Sequence, residues 1–376
     1  MKAVALVKGS GSLQLVDVPE PVLEQPDQVL VRVLQIGVCG TDRAMARGEE
    51  EAEPPPGASY LVLGHEMAGR VEQVGPGVRG LRPGDLAIAS VRRGCGECES
   101  CSHGESDRCY TGRFRERGIL GVHGFMTSLI VEQEANLVPL PDTLERIGFL
   151  AEPLSTCEKA LETVRRLQAR LSPRCGHHEH AWDGDSWGLC KRALVVGAGP
   201  VGMLTAFLLR LHHVSTVVVA RHPGSGPPGR LAQSIGAAYL NIAEAGYAGL
   251  GPLWEDLDLV VDATGAPTVA FEVASYLKSP NSVVLLLGVP GGRHALTVDT
   301  AALVRQMVLA NQTMLGSVNA NLRHLRMAVQ HLAQFQERFG DAIQQVVSHT
   351  YPLEQFREAF FHPPAGAIKV SLTPSG

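Results

Sequence analysis

A chain of 376 residues exceeds the size at which one hydrophobic core stops growing, so about two domains and two cores are expected. Its 45% apolar content, 41 glycines, 24 prolines and 19% charged residues describe a globular protein rich in turns, and exclude a disordered or coiled-coil chain. A formal net charge of −5 with no dense Lys/Arg cluster argues against a nucleic-acid partner, and no apolar run reaches the roughly 18 residues of a membrane span.

The opening MKAVALVKGS holds too short an apolar run for a secretory signal, which predicts a cytoplasmic protein with no membrane partner. In a reducing compartment its eight cysteines are read first as metal ligands or buried thiols. From Lys2 to about Pro141, short apolar runs such as QVLVRVLQIG and GRVEQVG are broken at close intervals by Gly, Pro and Asp, the pattern of an all-β, barrel-like domain. After Glu152 the period changes, and CEKALETVRRLQARL puts Ala160, Leu161, Val164, Leu167 and Leu171 at helical spacing. The following SPRCGHHEHAWDGDSWGLCK has no clean period and reads as a surface connection. Its Cys175, His177, His178, His180 and Cys190 match no standard zinc-finger spacing, so no further metal site is assigned there.

From Ala193 the segments ALVVGAG, MLTAFLLRLH, TVVVARH, LAQSIGA, LDLVVDATG, VAFEVASYL and SVVLLLGVP alternate strand with helix, which predicts a parallel, doubly wound α/β sheet. QTMLGSV reads as one more strand, NLRHLRMAVQHLAQFQERF as a long amphipathic helix, and AIKVSLTP as a last strand returning to the first domain. The expected division is 1–187 for the first domain with its cysteine lobe, 188–314 for the cofactor domain, and 315–376 for a segment that rejoins the first.

Cys95, Cys98, Cys101 and Cys109 stand at C-x2-C-x2-C-x7-C spacing in a loop rich in Gly, Ser and charge. Four thiolates from one short loop close a tetrahedral shell around zinc and leave no position for substrate, so this site is structural. An iron–sulfur cluster or a pair of disulfides fits the surroundings less well. A more open set is dispersed: Cys39 in GVCGTDRA, His65 and Glu66 in LGHEMAGRVEQVG, and Glu152 in LAEPLSTCEKA. Thiolate, imidazole and carboxylate from distant loops can hold zinc and keep one position for substrate. Singly, each residue also has an ordinary reading: Cys39 as a buried thiol, His65 as a satisfied core histidine, Glu152 as a cap to a helix starting near Pro153.

GHEMAGRVEQVGPGVRGLRPGDLA resembles the G-H-E-x-x-G-x-V-x-x-V-G signature, with its following G-D-x-V-A turn, of zinc-containing medium-chain dehydrogenases/reductases. The Cys39 loop, the GHE segment, the four-cysteine lobe, the Glu152 helix entrance and the dinucleotide pattern come in that family's order. The resemblance implies a GroES-like β-barrel catalytic domain plus a Rossmann domain, assembled as a homodimer or homotetramer. It further implies that Cys39, His65 and Glu152 ligate the catalytic zinc and that Asp42 supports His65; Glu66 is expected to exchange on and off the metal as a fourth ligand, since coordination at such open sites can expand or swap. Where many alcohol dehydrogenases of the family carry a proton-relay histidine, this chain has Ala44, which leaves Thr41, or else Glu66, as the proton route.

ALVVGAGPVGMLTAFLLRL sets Gly197, Gly199 and Gly202, with Pro200 and Val201 between the last two, at a strand-to-helix junction. The first glycine turns the chain, the second lets backbone approach a pyrophosphate, and the third lets helix pack on strand. The next strand ends in Arg221 and His222, not in the acidic residue that accepts from an NAD ribose, so NADP is favoured, with NAD possible. Thr264 with Gly265, and Gly288 with Val289, end later strands on the cofactor side.

CYTGRFRERGILGVHGFMTSLIVE and NQTMLGSVNANLRHL resemble the glucose (aldose) 1-dehydrogenase branch of the family. That resemblance implies Glu116, Glu152 and Asn319 as contacts to sugar hydroxyls; Thr41 and Ser90 are further substrate-contact candidates. It also implies the reaction, oxidation of an aldose at C1 to the aldonolactone with hydride transfer to NADP. Read without the resemblance, Glu116 pairs with Arg113, Arg115 or Arg117, and Asn319 caps the following helix. A polyol or secondary-alcohol dehydrogenase is the alternative within the family, and a non-catalytic cofactor-binding protein the alternative outside it.

Overall fold

The computed structural model describes residues 1–9, 11–169, 187–243, 246–291 and 295–374. The Cys175–His180 cluster therefore lies outside the described residues. The Gln28–Val38 strand, QVLVRVLQIGV, organises the N-terminal part of the chain. On one side it pairs antiparallel with Glu66–Val74, and on the other with Leu129–Gln133 and, further along, Lys369–Thr373. These belong to a seven-stranded sheet, beside which Lys2–Val7, Leu13–Asp17 and Tyr60–Val62 form a three-stranded one.

The register matters for function. Gly37 stands opposite Glu66 on one side and Ser371 on the other, while Val38 stands opposite Val370. Cys39, His65, Glu66 and Lys369 are thus delivered to one end of three adjoining strands.

The second unit is a six-stranded sheet whose paired strands are all parallel. Its order runs outward from Arg192–Val196 through Ser215–Ala220 to Ala238–Asn241, and on the other side through Leu259–Asp262 and Val283–Leu286 to Thr313–Gly316. The chain reverses direction of travel across the sheet beside Arg192–Val196, the switch point where doubly wound folds bind ligands. RALVV is buried after its first residue, as a strand covered by helices on both faces requires. The last strand of this sheet, Thr313–Gly316, runs across the expected boundary at 314.

Among the described residues, three buried clusters stand where two cores were expected. One fills the barrel around Ile36, Met67, Phe125 and Phe360. A second lies on one face of the parallel sheet, around Trp254 and Leu277. The third covers the other face and continues into the barrel's flank, where the Ala151–Gln168 and Leu322–Phe339 helices bury Leu154, Leu161, Leu325 and Phe335. Phe207 and Phe335 meet at 5.3 Å between ring centroids within it. A doubly wound sheet needs apolar cover on both faces, so one domain of that kind supplies two clusters.

Candidate active site and metal centres

Cys39 precedes the short Gly40–Ala46 helix, and the Asp42 carboxylate turns back to accept the Cys39 N–H at 2.9 Å. Its other oxygen accepts the Gly64 N–H at 3.3 Å and faces His65 Nδ1 at the same distance. Asp42 is fully buried and is both the turn residue and the partner of His65. Burial pushes its carboxyl up, but His65 and the Cys39 N–H outweigh that and hold it below its ordinary value. Burial likewise opposes the imidazolium of His65, which Asp42 and Cys39 nonetheless raise well above the ordinary histidine value. With Nδ1 turned to Asp42, Nε2 is left for a metal, the usual carboxylate–histidine–metal order.

Ligand atoms of Cys39, His65 and Glu66 all lie within 4.8 Å of one another. Glu152 is outside that group. It sits in the first turn of the Ala151–Gln168 helix, one residue past the start, so it is not a cap. Burial pushes its carboxyl up to about 7, and the nearby Glu66 adds to the push while His65 opposes it. Glu66 is itself occupied: Lys369 Nζ donates to Oε1 at 2.6 Å and lies 2.5 Å from Oε2, with both side chains buried. A Cβ at Gly37 would overlap Glu66 Oε2 and crowd Lys369, so only glycine there admits the pair. Sequence reasoning missed Lys369, although a lysine between Ile368 and Val370 in an apolar strand is the kind of buried charge that demands a partner.

Thiol, imidazole and three acids (Asp42, Glu66 and Glu152) crowd a space into which Lys369 also brings a buried ammonium. This donor set fits a divalent cation held by Cys39, His65 and a carboxylate. Thr41 Oγ1 is 3.9 Å from Cys39 Sγ, and Ala44 is buried and its methyl group has no exchangeable proton.

The second donor group is Cys95, Cys98, Cys101 and Cys109, again within 4.8 Å of one another. The Cys98 N–H donates to Cys95 Sγ at 3.4 Å, and the Cys109 Sγ and Thr111 hydroxyl share a contact at 3.3 Å. Hydrogen bonds draw the Cys95 and Cys109 thiols down, whereas burial first and then Cys98 push Cys101 up. Four sulfurs converging in one loop fit a closed zinc shell. Cys157 is different: burial pushes it up to about 12 and it receives the Thr205 hydroxyl at 3.3 Å, an inert packing thiol.

At the cofactor turn Gly197 has φ +103°, a conformation open to glycine, and Gly199 precedes the Pro200–Leu211 helix. No atom lies within 4 Å of where a Gly199 Cβ would sit, whereas one at Gly202 would run into the Gly197 carbonyl. The open face at Gly199 and the tight one at Gly202 fit a pyrophosphate at the N-terminus of a helix. Val201 packs against the shared core. Arg221 and His222 are exposed just beyond the Ser215–Ala220 strand. The exposed Thr264 donates to Asp262, and Gly265 and Gly288 meet backbone to backbone, leaving Val289 61% exposed beside them.

Glu116 does not pair with Arg113, Arg115 or Arg117. Its partners are Arg92, at 2.9 Å, and the Asn319 side-chain amide. Two candidate sugar contacts 203 positions apart are therefore in direct contact. Asn319 adopts φ +62° in the turn before the Leu322–Phe339 helix, which Asn321 caps instead. The buried Ser90 accepts from Arg93 through its hydroxyl, and Arg93 is paired with Glu132.

A barrel bearing an open donor set, beside a parallel sheet with a glycine turn at its switch point, is the architecture of a medium-chain, zinc-containing dehydrogenase. The family described as "Alcohol dehydrogenase GroES-like domain" matches residues 25–142, and "Glucose dehydrogenase C-terminus" matches residues 145–373. The chain is 37% identical to the glucose 1-dehydrogenase of Thermoproteus tenax, with 96% of each chain covered, and 34% identical to that of Methanocella arvoryzae, with 95% of each covered. It is also similar to the solved structure of Haloferax mediterranei glucose dehydrogenase in complex with NADP, Zn and gluconolactone, at 31% identity and a TM-score of 0.85 over 100% of both chains. The chain belongs to the zinc-containing medium-chain dehydrogenase/reductase family, in its glucose dehydrogenase branch.

Proposed function

We propose that this chain oxidises the C1 hydroxyl of an aldose such as D-glucose to the aldonolactone, with NADP as hydride acceptor. One observation carries the reading. The open donor set and the Glu116–Asn319 pair occur in a chain alike, end to end, to a glucose dehydrogenase whose structure holds NADP, Zn and gluconolactone.

Zinc at Cys39, His65 and Glu152, with Glu66 as the exchangeable ligand, would act as a Lewis acid that lowers the pKa of the anomeric hydroxyl. Asp42 orients the imidazole through its contact with Nδ1. Thr41 is the first candidate for the proton route and Glu66, which Lys369 engages, the second, since Ala44 offers no donor. Glu116 and Asn319 fix the sugar ring through its other hydroxyls, Glu116 as an acceptor and Asn319 as donor and acceptor. Gly197, Gly199, Pro200, Val201 and Gly202 cradle the pyrophosphate, and Thr264, Gly288 and Val289 flank the nicotinamide.

Arg221 and His222 face the adenosine ribose, where a guanidinium suits a 2′-phosphate. Arg221→Ala is expected to raise the KM for NADP by about ten- to a hundredfold, the loss of one charged hydrogen-bonding partner, and to leave the KM for NAD nearly unchanged. Equal effects on both cofactors in initial-rate measurements would remove Arg221 from the ribose site.

Among the described residues no helix is long and apolar enough to cross a membrane. A homodimer or homotetramer is supported by the Thr300–Leu309 helix, none of whose residues is buried and whose Val304, Val308 and Leu309 are exposed beside the edge strand Thr313–Gly316.

The decisive experiment follows NADPH absorbance with zinc-replete protein, NADP, and a panel of glucose, galactose, xylose, sorbitol, threonine and simple alcohols. Aldose-dependent NADPH that is lost in Glu116→Ala supports the reading. Turnover of sorbitol or a secondary alcohol alone would keep the metal chemistry and overturn the sugar assignment of Glu116 and Asn319.

A further inference from the structure

The two candidate sugar contacts are part of a closed circuit of polar contacts that begins and ends in the four-cysteine lobe. Asp107 lies in that lobe, between Cys101 and Cys109, with its side chain fully buried. Its carboxylate pairs with Lys159 Nζ at 2.8 Å. Lys159 Nζ also donates to the Val318 carbonyl at 3.0 Å, the residue immediately before Asn319. The Asn319 amide donates to Glu116, Glu116 is held by Arg92 at 2.9 Å, and Arg92 returns to the circuit's origin by donating to the Asp107 carbonyl at 3.3 Å. Asp107 is tied once more to the same turn, since its Oδ1 accepts from Asn321 Nδ2 at 2.8 Å. The Phe114 ring lies under the Arg92 guanidinium at 3.8 Å and fixes its plane.

We propose that Lys159 and Asp107 are positioning residues for sugar recognition, holding the Asn319 turn and the Glu116 carboxylate in one geometry and anchoring both to the four-cysteine lobe. This rests on the reading that Glu116 and Asn319 contact the aldose. Three features favour it over a mere staple between segments. The ammonium bonds the peptide carbonyl joined to Asn319, in a turn whose Asn319 has φ +62°. Lys159 stands seven positions after Glu152 in the Ala151–Gln168 helix, on the same face two turns on, so one rigid element carries the metal-side carboxylate and the clamp. And the circuit encloses no group of the nucleotide turn, which predicts that its loss acts on one substrate only.

Lys159→Met keeps the aliphatic stem and removes the three N–H donors. In initial-rate measurements on the full-length, zinc-replete protein, the KM for glucose, or for the best aldose of the panel, is expected to rise by about ten- to a hundredfold, the effect of misplacing binding groups by roughly an ångström. kcat and the KM for NADP stay within about threefold, because the metal donors and the glycine turn are untouched. Calorimetric affinity of the NADP-loaded protein for gluconolactone weakens in parallel. Lys159→Arg, which retains the charge and donors, recovers part of the loss. Should Lys159→Met fail to fold, the isosteric Asp107→Asn must show the same split between sugar and cofactor. An unchanged sugar KM, or equal losses for sugar and NADP, would overturn the proposal. Wild-type protein inactive on every aldose would instead overturn the reading beneath it.

Discussion

Cys39→Ser is expected to lower aldose turnover by about a thousandfold or more and to leave about one zinc per chain where the wild type holds about two. A Lewis acid at the reacting oxygen is worth several kcal/mol, and each 1.36 kcal/mol is a factor of ten in rate. Serine keeps the backbone donor that Asp42 accepts from Cys39, so the Gly40–Ala46 turn and the seat of His65 survive. Its hydroxyl, however, stays protonated at neutral pH and cannot replace a thiolate as ligand. The four sulfurs of the other centre lie in a separate loop and retain their ion. Metal analysis on gel-filtered protein, paired with NADPH production from glucose, checks both halves. Two zinc ions with full activity would show that Cys39 is only a buried thiol. One zinc in the wild type would return the chain to the non-catalytic alternative.

Local sequence carried the parts of this site that are local. Four cysteines within one loop, three glycines around one turn and a GHE segment each announce their chemistry because spacing along the chain is spacing in space. The parallel sheet was legible for the same reason: buried strands of Val and Leu alternate with helices of fixed period. The Ala238–Asn241 strand was not, since it lies at the sheet edge, mostly exposed and without an apolar run. The Thr300–Leu309 helix was missed because it has no buried face to impose a period. Long-range pairings leave the weakest trace. Glu66 meets Lys369 across 303 positions, and Asp107 meets Asn321 across 214. No window of sequence contains both partners. Only an out-of-place residue betrays them, such as the lysine in AIKVSL. Arg92 went unnoticed among the arginines of VRRGC and TGRFRER, because which arginine reaches Glu116 is decided by the antiparallel register that sets Arg92 opposite Glu116.

Lys369→Met is expected to destabilise the metal-free protein by about 3–5 kcal/mol, because breaking a buried pair leaves its partner charged and unpaired. In large domains each kcal/mol moves Tm by roughly 2–4 °C, so a loss of about 6–20 °C should appear in calorimetry. The surroundings are mixed: without the ammonium, Glu66 shares the site with Cys39, Asp42 and Glu152, which become negative when ionised, and with the imidazolium of His65, which offsets part of the loss. Neutralising both members isolates the pair's contribution. In Glu66→Gln/Lys369→Met the buried charge is gone and most of the stability returns, although activity does not if Glu66 serves the metal. Zinc gives a second control. A divalent cation at the Cys39–His65–Glu66 cluster supplies the positive charge that methionine lacks, so saturating zinc should narrow the Tm gap between Lys369→Met and wild type. A gap that is small without zinc, below about 1 kcal/mol, would mean that Glu66 is not held as an anion by Lys369. A large gap that zinc leaves untouched would separate Glu66 from the metal, and would leave Glu152 as the carboxylate ligand beside Cys39 and His65.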